Sequence, residues 1–262
     1  MSGFGEKQEL TSSYILLKDI SMTFKSRGDK IDALKNVNLE VFKDEFVSIV
    51  GPSGCGKTTL LKIVAGLIKP TSGQIFMAGK ETTGPVYNIG MVFQSPVLLR
   101  WRTVLRNILL PIEVKKLDTN QYLDRAKQLI QLTGLSGFEN KYPHELSGGM
   151  QQRVSICRAL ITDPDLLLMD EPFGALDALT REQLNIELVR IWQSQKKTVL
   201  FVTHSVSEAI YLSDKIVVMS ARPGTIIECI EVDLPRPRKR TDPRFIELTG
   251  KILRLLGVKA DV

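Results

Sequence analysis

Phe46-Val47-Ser48-Ile49-Val50-Gly51-Pro52-Ser53-Gly54-Cys55-Gly56-Lys57-Thr58-Thr59-Leu60-Leu61 is the stretch that decides the fold. Its first five residues are short, almost wholly apolar and β-branched. A strand buried on both faces has this texture, which is typical of a parallel sheet covered by helices. Leu60 and Leu61, with Val64 and Ile68, fall on one helical face. Between strand and helix, Gly51 to Thr58 fits G-x-x-x-x-G-K-[ST]. Glycines let such a loop curl so that successive N–H groups point inward at phosphate oxygens. The following helix adds the positive end of its dipole to the same anion. Lys57 can reach terminal phosphates, and the Thr58 hydroxyl can ligate Mg²⁺. A glycine-rich turn without a ligand is the competing reading, and the strand before and helix after weigh against it.

Working outward, Leu166–Met169, Val199–Val202 and Ile216–Met219 repeat the buried-strand texture. Helical faces such as Leu184, Leu188 and Ile191 separate them, and alternation of strand and helix makes the core α/β. Towards the N-terminus, Val37, Leu39 and Val41 alternate with Asn38 and Glu40, the period of a half-buried antiparallel sheet. From about Ser95 to Leu160 no strand pattern occurs, and segments such as Tyr122–Leu132 are helical. The expected fold is therefore α/β: a P-loop NTPase core with a parallel sheet, an N-terminal antiparallel β subdomain and an inserted helical subdomain. One domain is expected over 15–235, with the insertion at about 95–160. A basic linker and an amphipathic helix are expected over 236–262, the helix marked by Phe245, Leu248, Ile252 and Leu255.

Composition bounds the function. The 262 residues carry 35 Lys and Arg against 29 Asp and Glu, a net charge of +6, with 43% hydrophobic residues, which excludes a disordered or fibrous chain. No run approaches the ~20 apolar residues of a membrane span. Met1–Ser13 is polar, so no secretion signal is expected there. Cys55, Cys157 and Cys229 are too few and too scattered for a disulfide framework or zinc site, and fit a reducing cytosol. The one dense basic run, Pro235-Arg236-Pro237-Arg238-Lys239-Arg240, reads as a solvated linker rather than a binding patch, because proline prevents a smooth helical face.

Leu166-Leu167-Leu168-Met169-Asp170-Glu171 is an apolar strand ending in two carboxylates. In a parallel sheet the carboxyl edge borders the ligand crevice. There Asp170 can hold Mg²⁺ through water, and Glu171 can orient and polarise an attacking water. The chemistry implied is phosphoryl transfer, where positioning and charge stabilisation do most of the catalysis.

Leu146-Ser147-Gly148-Gly149-Met150-Gln151-Gln152-Arg153 resembles the signature of ABC-type ATPases, and the resemblance extends from Ile15 to Met219. Gln94 resembles that family's Q-loop glutamine, Ala175-Leu176-Asp177 its D-loop and His204 its switch histidine, while Phe24 stands where an aromatic meets adenine. The resemblance implies ATP and Mg²⁺ as cofactors and Glu171, His204 and Gln94 as catalytic residues. It implies nucleotide contacts from Phe24, Gly51, Pro52, Ser53, Gly54, Cys55, Gly56, Lys57, Thr58 and Thr59. Further contacts come from Ser147, Gly148, Gly149 and Asp177, and the metal ligands are Thr58, Gln94 and Asp170. In relatives the signature meets the γ-phosphate on a second subunit, so a homodimer is expected in the ATP-bound state.

Val97-Leu98-Leu99-Arg100-Trp101-Arg102-Thr103-Val104 resembles the segment that receives a coupling helix from a permease; aromatics and Arg are favoured anchors. Structural packing is the alternative. With Leu109–Glu113 and the Ala221-Arg222-Pro223-Gly224 turn, it resembles the nitrate/sulfonate/taurine importer subfamily. That implies integral-membrane permease partners, a separate substrate-binding protein, and a peripheral place on the cytoplasmic face of the inner membrane. A different permease, or a soluble ABC protein, is the alternative; no nucleic-acid partner is expected. Two departures stand out: Arg100 where relatives commonly have Pro, and Asp44 where Gly is usual. Trp192, Phe173 and Cys157 read as packing residues. Cys55, at a helix start beside Lys57, reads as a reactive thiol whose modification blocks hydrolysis.

Overall fold

The computed structural model describes residues 13–26, 29–86 and 88–258. All of the polar start except Ser13, and the last four residues of the 236–262 segment, lie outside the described residues. The chain forms two compact units, Met1–Tyr87 with Thr198–Val262, and Asn88–Lys197.

The first unit contains both kinds of sheet. Strands β1 (Ile15–Ser26), β2 (Asp29–Val41), β4 (Ser72–Met77) and β5 (Lys80–Glu81) form an antiparallel sheet in the order β2-β1-β4-β5. Val37, Leu39 and Val41 are buried while Asn38 is exposed, as alternation requires. Strand β3 (Phe46–Val50) lies between β8 (Thr198–Thr203) and β9 (Lys215–Met219), parallel to both. Strand β10 (Ile226–Glu231) is antiparallel to β9. The fold is thus α/β, with a mixed sheet that includes parallel strands and a separate antiparallel sheet. Every residue of β3, β8 and β9 is buried, which explains their continuous apolar runs.

Helix α1 (Lys57–Val64) buries Leu60, Leu61 and Val64 as expected, but it stops before Ile68. Gly66 takes φ +69, the left-handed conformation that ends a helix, so Ile68 lies beyond the helical face. Asp44, in the turn before β3, has φ +61. A left-handed turn there accounts for glycine in relatives, and Asp tolerates the conformation better than most side chains.

The second unit pairs β6 (Ile89–Val92) in parallel with β7 (Leu166–Asp170). Helices α2 (Val104–Ile108), α3 (Leu110–Val114), α4 (Leu123–Leu132) and α5 (Gly148–Leu160) fill the segment between these strands, and α6 (Ala178–Gln195) follows β7. Between Ser95 and Leu160 there is no strand. Phe173 is buried, and Trp192 is nearly so while its indole donates to Lys197 O at 2.8 Å. Cys157 is fully buried against the Thr133 hydroxyl, and burial pushes its thiol up to about 12. These three are packing residues, as read.

The basic run overturns its expected role. After α7 (Val206–Leu212) and β10, Arg238 turns inward and is 6% exposed. Its guanidinium donates to the carbonyls of Ile210, Tyr211, Ser213, Val232 and Leu234. Arg236 pairs with Asp214 at 2.6 Å, and Arg240 lies over the rings of Tyr211 and Phe245. This segment is a staple holding helix α8 (Pro243–Leu255), whose Phe245 and Ile252 are buried, not a solvated linker. Burial lowers the Arg238 pKa to about 10, so it stays charged at neutral pH. Arg238→Ala is expected to cost about 3 kcal/mol by stripping buried carbonyls of their donor, and so to lower the thermal midpoint by ~6–12 °C. A melting curve followed by circular dichroism checks this; an unchanged midpoint would refute the staple.

Candidate functional site

The glycine-rich loop leaves β3 at its carboxyl end and turns into α1. Gly56, the residue before α1, has φ +104, and a methyl group there would stand 2.7 Å from Leu34 Cδ2 and 2.9 Å from Ala33 O. Only glycine satisfies both the conformation and the space. Lys57 is 5% exposed and folds back over the loop, donating to Gly51 O at 2.8 Å and Pro52 O at 3.1 Å. Pro52, Ser53, Gly54 and Thr58 are exposed, and Gly56 and Thr59 half-buried. The result is a curled, lysine-closed backbone at a helix start, with room for no side chain at Gly56, the kind of backbone curl that suits an anion.

Cys55 is 1% exposed, so its backbone serves the loop but its thiol is withdrawn from reagents. The expected block of hydrolysis through Cys55 therefore lacks the access it needs. A methyl on Gly51 would come within 2.8 Å of that sulfur, which shows how tightly the loop closes over it.

Parallel register sets what else reaches this edge. Val50 pairs with Thr203 and with Val218. His204, which follows Thr203 and is exposed, therefore leaves the sheet beside Gly51. The buried Thr203 hydroxyl donates to Glu208 at 2.6 Å and accepts from the Ser205 N–H, fixing the backbone on both sides of His204. Beyond β9, Arg222 donates to Gly54 O at 3.2 Å and Gly224 donates to Ala33 O at 2.9 Å. Arg222 thus braces the loop, a role that the sequence did not reveal. Phe24 lies on β1 opposite Ile31 and is 40% exposed.

In the second unit, Val92 pairs with Met169, so Phe93-Gln94 and Asp170-Glu171 leave their strands side by side. Asp170 is 9% exposed at the end of β7. Glu171 has φ +44, and its carbonyl accepts from Gly174 N–H at 3.0 Å. A left-handed glutamate costs on the order of 1–3 kcal/mol, strain that concentrates at functional positions. Val97 has φ +46, costlier still for a β-branched residue.

The signature segment and Asp177 sit at two helix starts. Ser147 Oγ accepts from Met150 N–H at 3.3 Å, capping α5 while keeping its own proton to donate. Asp177 Oδ1 accepts from Thr180 N–H at 3.0 Å, capping α6, and hydrogen bonds from the backbone and hydroxyl of Thr180 hold its pKa below the usual carboxylate value. A methyl on Gly149 would meet Thr180 Cγ2 at 2.5 Å, so glycine there lets α5 start against α6. The capping duty of Asp177 was missed in the sequence, although Asp directly before a helical run is the pattern of an N-cap.

The metal ligands expected from the sequence, the Thr58 hydroxyl in the first unit and the Gln94 amide and Asp170 carboxylate in the second, are all oxygen donors. Among the described residues no group of three or more His, Cys, Asp or Glu gathers as a metal site. An ion held by few protein oxygens and completed by substrate phosphates is the habit of Mg²⁺, so the donor set fits it.

A sequence profile described as ABC transporter matches residues 34–174. An uncharacterised ABC transporter ATP-binding protein of Methanocaldococcus jannaschii is 51% identical, covering 96% of this chain and 94% of that protein. The aliphatic sulfonates import ATP-binding protein of Bacillus cereus is 45% identical over 91% of this chain and 94% of its own. The taurine import ATP-binding protein of Pelagibacter ubique is 43% identical over 93% of this chain and 95% of its own. Among solved structures, the dimeric ABC transporter cassette MJ0796 superposes with a TM-score of 0.75 at 35% identity, over 84% of this chain and all of that one.

Proposed function

Since the chain belongs to the ABC transporter family, whose ATP-binding subunits hydrolyse ATP, we propose that it is the motor of an importer for a small sulfonate, taurine included. The observation that carries the reading is its 45% and 43% identity, over more than nine-tenths of its length, to two import ATP-binding subunits for such solutes. The ATPase domain is assigned to 15–235, with the helical insertion at about 95–160, and 236–262 is its C-terminal appendage.

In this reading Phe24 stacks on adenine, and Gly51 to Thr59 wrap the phosphates. Lys57 swings its ammonium from the Gly51 and Pro52 carbonyls to the terminal phosphates. When bound, Mg²⁺ neutralises charge on the phosphate oxygens; Thr58, Asp170 and Gln94 would hold it. Glu171 orients a water, whose oxygen bonds to the γ-phosphorus as the bond to the bridging β–γ oxygen breaks. The water proton passes to the Glu171 carboxylate, and ADP leaves with its charge compensated by Lys57. His204 donates to the γ-phosphate. Ser147, Gly148 and Gly149 of a second copy, with Asp177 beside them, complete the site. ATP therefore closes a homodimer, and hydrolysis reopens it.

Partners are integral-membrane permease subunits, probed by the surface around Trp101, and a separate binding protein. Trp101 is 74% exposed on a loop pinned by the buried Asn107, which bonds to Leu99 N–H and to the carbonyls of Leu99, Arg102 and Thr103. An apolar groove of about 430 Å³, lined by Val97, Leu99, Leu110, Pro111 and Val114, opens in the same unit. A rigid, exposed tryptophan and an apolar groove suit a helix-shaped guest. No helix among the described residues is long and apolar enough to cross a membrane. In the importer reading its place of work is the cytoplasmic face of the inner membrane, as a peripheral subunit.

The test is uptake. Cells of the source organism lacking this gene are expected to lose at least about tenfold in accumulation of labelled taurine or short alkanesulfonates, restored by the wild-type gene and not by Trp101→Ala; a truncated anchor of this kind typically costs more than 1 kcal/mol of binding. Undiminished uptake of these solutes in the deletion strain would overturn the substrate class.

A further inference from the structure

The loop carrying Gln94 is held at both ends by one helix. On its near side, the side-chain amide of Gln152, 1% exposed on α5, donates to Phe93 O at 3.2 Å. On its far side, Arg158, six residues further along α5, donates from Nη1 to Val97 O and from Nη2 to Pro96 O, both at 2.7 Å. The two residues between these anchors, Gln94 and Ser95, are exposed. Val97 takes its left-handed φ of +46 under the Arg158 fork.

A guanidinium is suited to this task. Its planar fork presents two parallel donors at fixed spacing, so it can hold two successive carbonyls that a lysine ammonium could satisfy only one at a time. A β-branched residue does not settle in the left-handed region on its own account, so the conformation at Val97 needs an outside hold. Arg158 is that hold, and burial lowers its pKa from the ordinary arginine value. The helix that carries both anchors is the one whose first turn is the Ser147-Gly148-Gly149 signature.

We propose that Arg158 and Gln152 are positioning residues for Gln94: helix α5 fixes the loop from Phe93 to Val97 so that the Gln94 amide is presented at a set distance from the edge where Asp170 and Glu171 emerge. The consequence is mechanical. Whatever moves the signature helix moves Gln94 with it, and whatever presses on Val97, which also lines the apolar groove, presses on the same anchor. This rests on the reading of Gln94 as a metal and water ligand in hydrolysis.

The test uses the full chain and two readouts. In hydrogen exchange followed by mass spectrometry, without nucleotide, Arg158→Ala is expected to raise exchange in the segment 93–99 about tenfold while β7 stays as in the wild type. In steady-state hydrolysis it is expected to lower kcat about 10–100-fold with little change in KM for ATP, the penalty of a misplaced group. That loss should match Gln94→Ala, and the double variant should be no worse than either, because both remove one function. Arg158→Lys should restore part of the loss. Should Arg158→Ala not fold, Gln152→Met keeps the volume within the helix packing and is expected to loosen Phe93 and Gln94 alone. Wild-type exchange over 93–99 in the folded variants, or losses that add in the double variant, would overturn the proposal and leave the ATPase reading intact. Full turnover in Gln94→Ala would instead remove the role of Gln94, and the proposal with it.

Discussion

Glu171→Gln is expected to bind MgATP as the wild type does, to lose hydrolysis by about 10²–10⁴-fold, and to accumulate as a dimer when MgATP is present. The substitution exchanges one carboxylate oxygen for an amide at constant shape. It keeps a hydrogen-bond acceptor for the water but removes the base that takes the proton. The backbone supports so clean a change. Glu171 already sits at φ +44, held by the turn to Gly174 and by the buried Pro172 and Phe173 behind it, and glutamine meets the same constraint. Binding survives because the loop residues that wrap the phosphates are untouched. In the proposed shared site ATP holds the signature of one copy against the phosphate loop of the other until hydrolysis, so the dimer is expected to accumulate. Size-exclusion chromatography with light scattering, with and without MgATP, reads the mass directly. A variant that still turns over within threefold of the wild type would show that Glu171 is not the base. A hydrolysis-dead variant that stays monomeric with MgATP would contradict the shared site.

Much of this was legible because the chemistry requires contiguous sequence. A phosphate loop needs a strand, a curl of glycines and a helix start in immediate succession, and Phe46 to Leu61 supplies all three in one run. Buried parallel strands do not alternate, so β3, β8 and β9 declared themselves by runs that are mostly apolar. What stayed hidden depends on tertiary approach. The arginines at 236, 238 and 240 recur at every second position, a spacing that turns them to one side of an extended chain. Nothing local says that this side faces the unpaired carbonyls after α7; charge and proline suggest solvent instead. Cys55 is the same kind of error. A thiol beside Lys57 looks activated, but the turn through Gly224 approaches so closely that a methyl there would overlap Cys55 O, and the side chain is shut in. Ile68 failed for a local reason, since Gly66 ends α1 and a periodic pattern does not see a cap. Arg158 was unreadable for a third reason: its partners are backbone carbonyls some sixty positions away, which carry no side-chain signature.

Lys57→Ala is expected to weaken ATP binding by about 10²–10⁴-fold, from two losses of roughly 1.5–3 kcal/mol each. The first is the proposed charge-assisted contact between the ammonium and the terminal phosphates. The second is in the loop itself: Lys57 Nζ bonds to Gly51 O and Pro52 O, so it braces the curl that aims the N–H groups inward. Alanine removes the brace together with the charge. Lys57→Arg should not rescue binding, because the lysine is 5% exposed under the loop and a planar fork cannot follow its path through that space. The measurement is thermal stability with and without MgATP. A ligand at 100 times its Kd stabilises the wild type by about 2.7 kcal/mol, and the variant at the same concentration by a few tenths at most. Its midpoint without nucleotide should stay within a few degrees of the wild type, since α1 keeps Leu60, Leu61, Ile63 and Val64 in the core. That separates a lost ligand from a lost fold. A variant that MgATP stabilises as strongly as the wild type would mean that the backbone N–H groups and helix start bind the phosphates alone, with Lys57 serving only to close the loop.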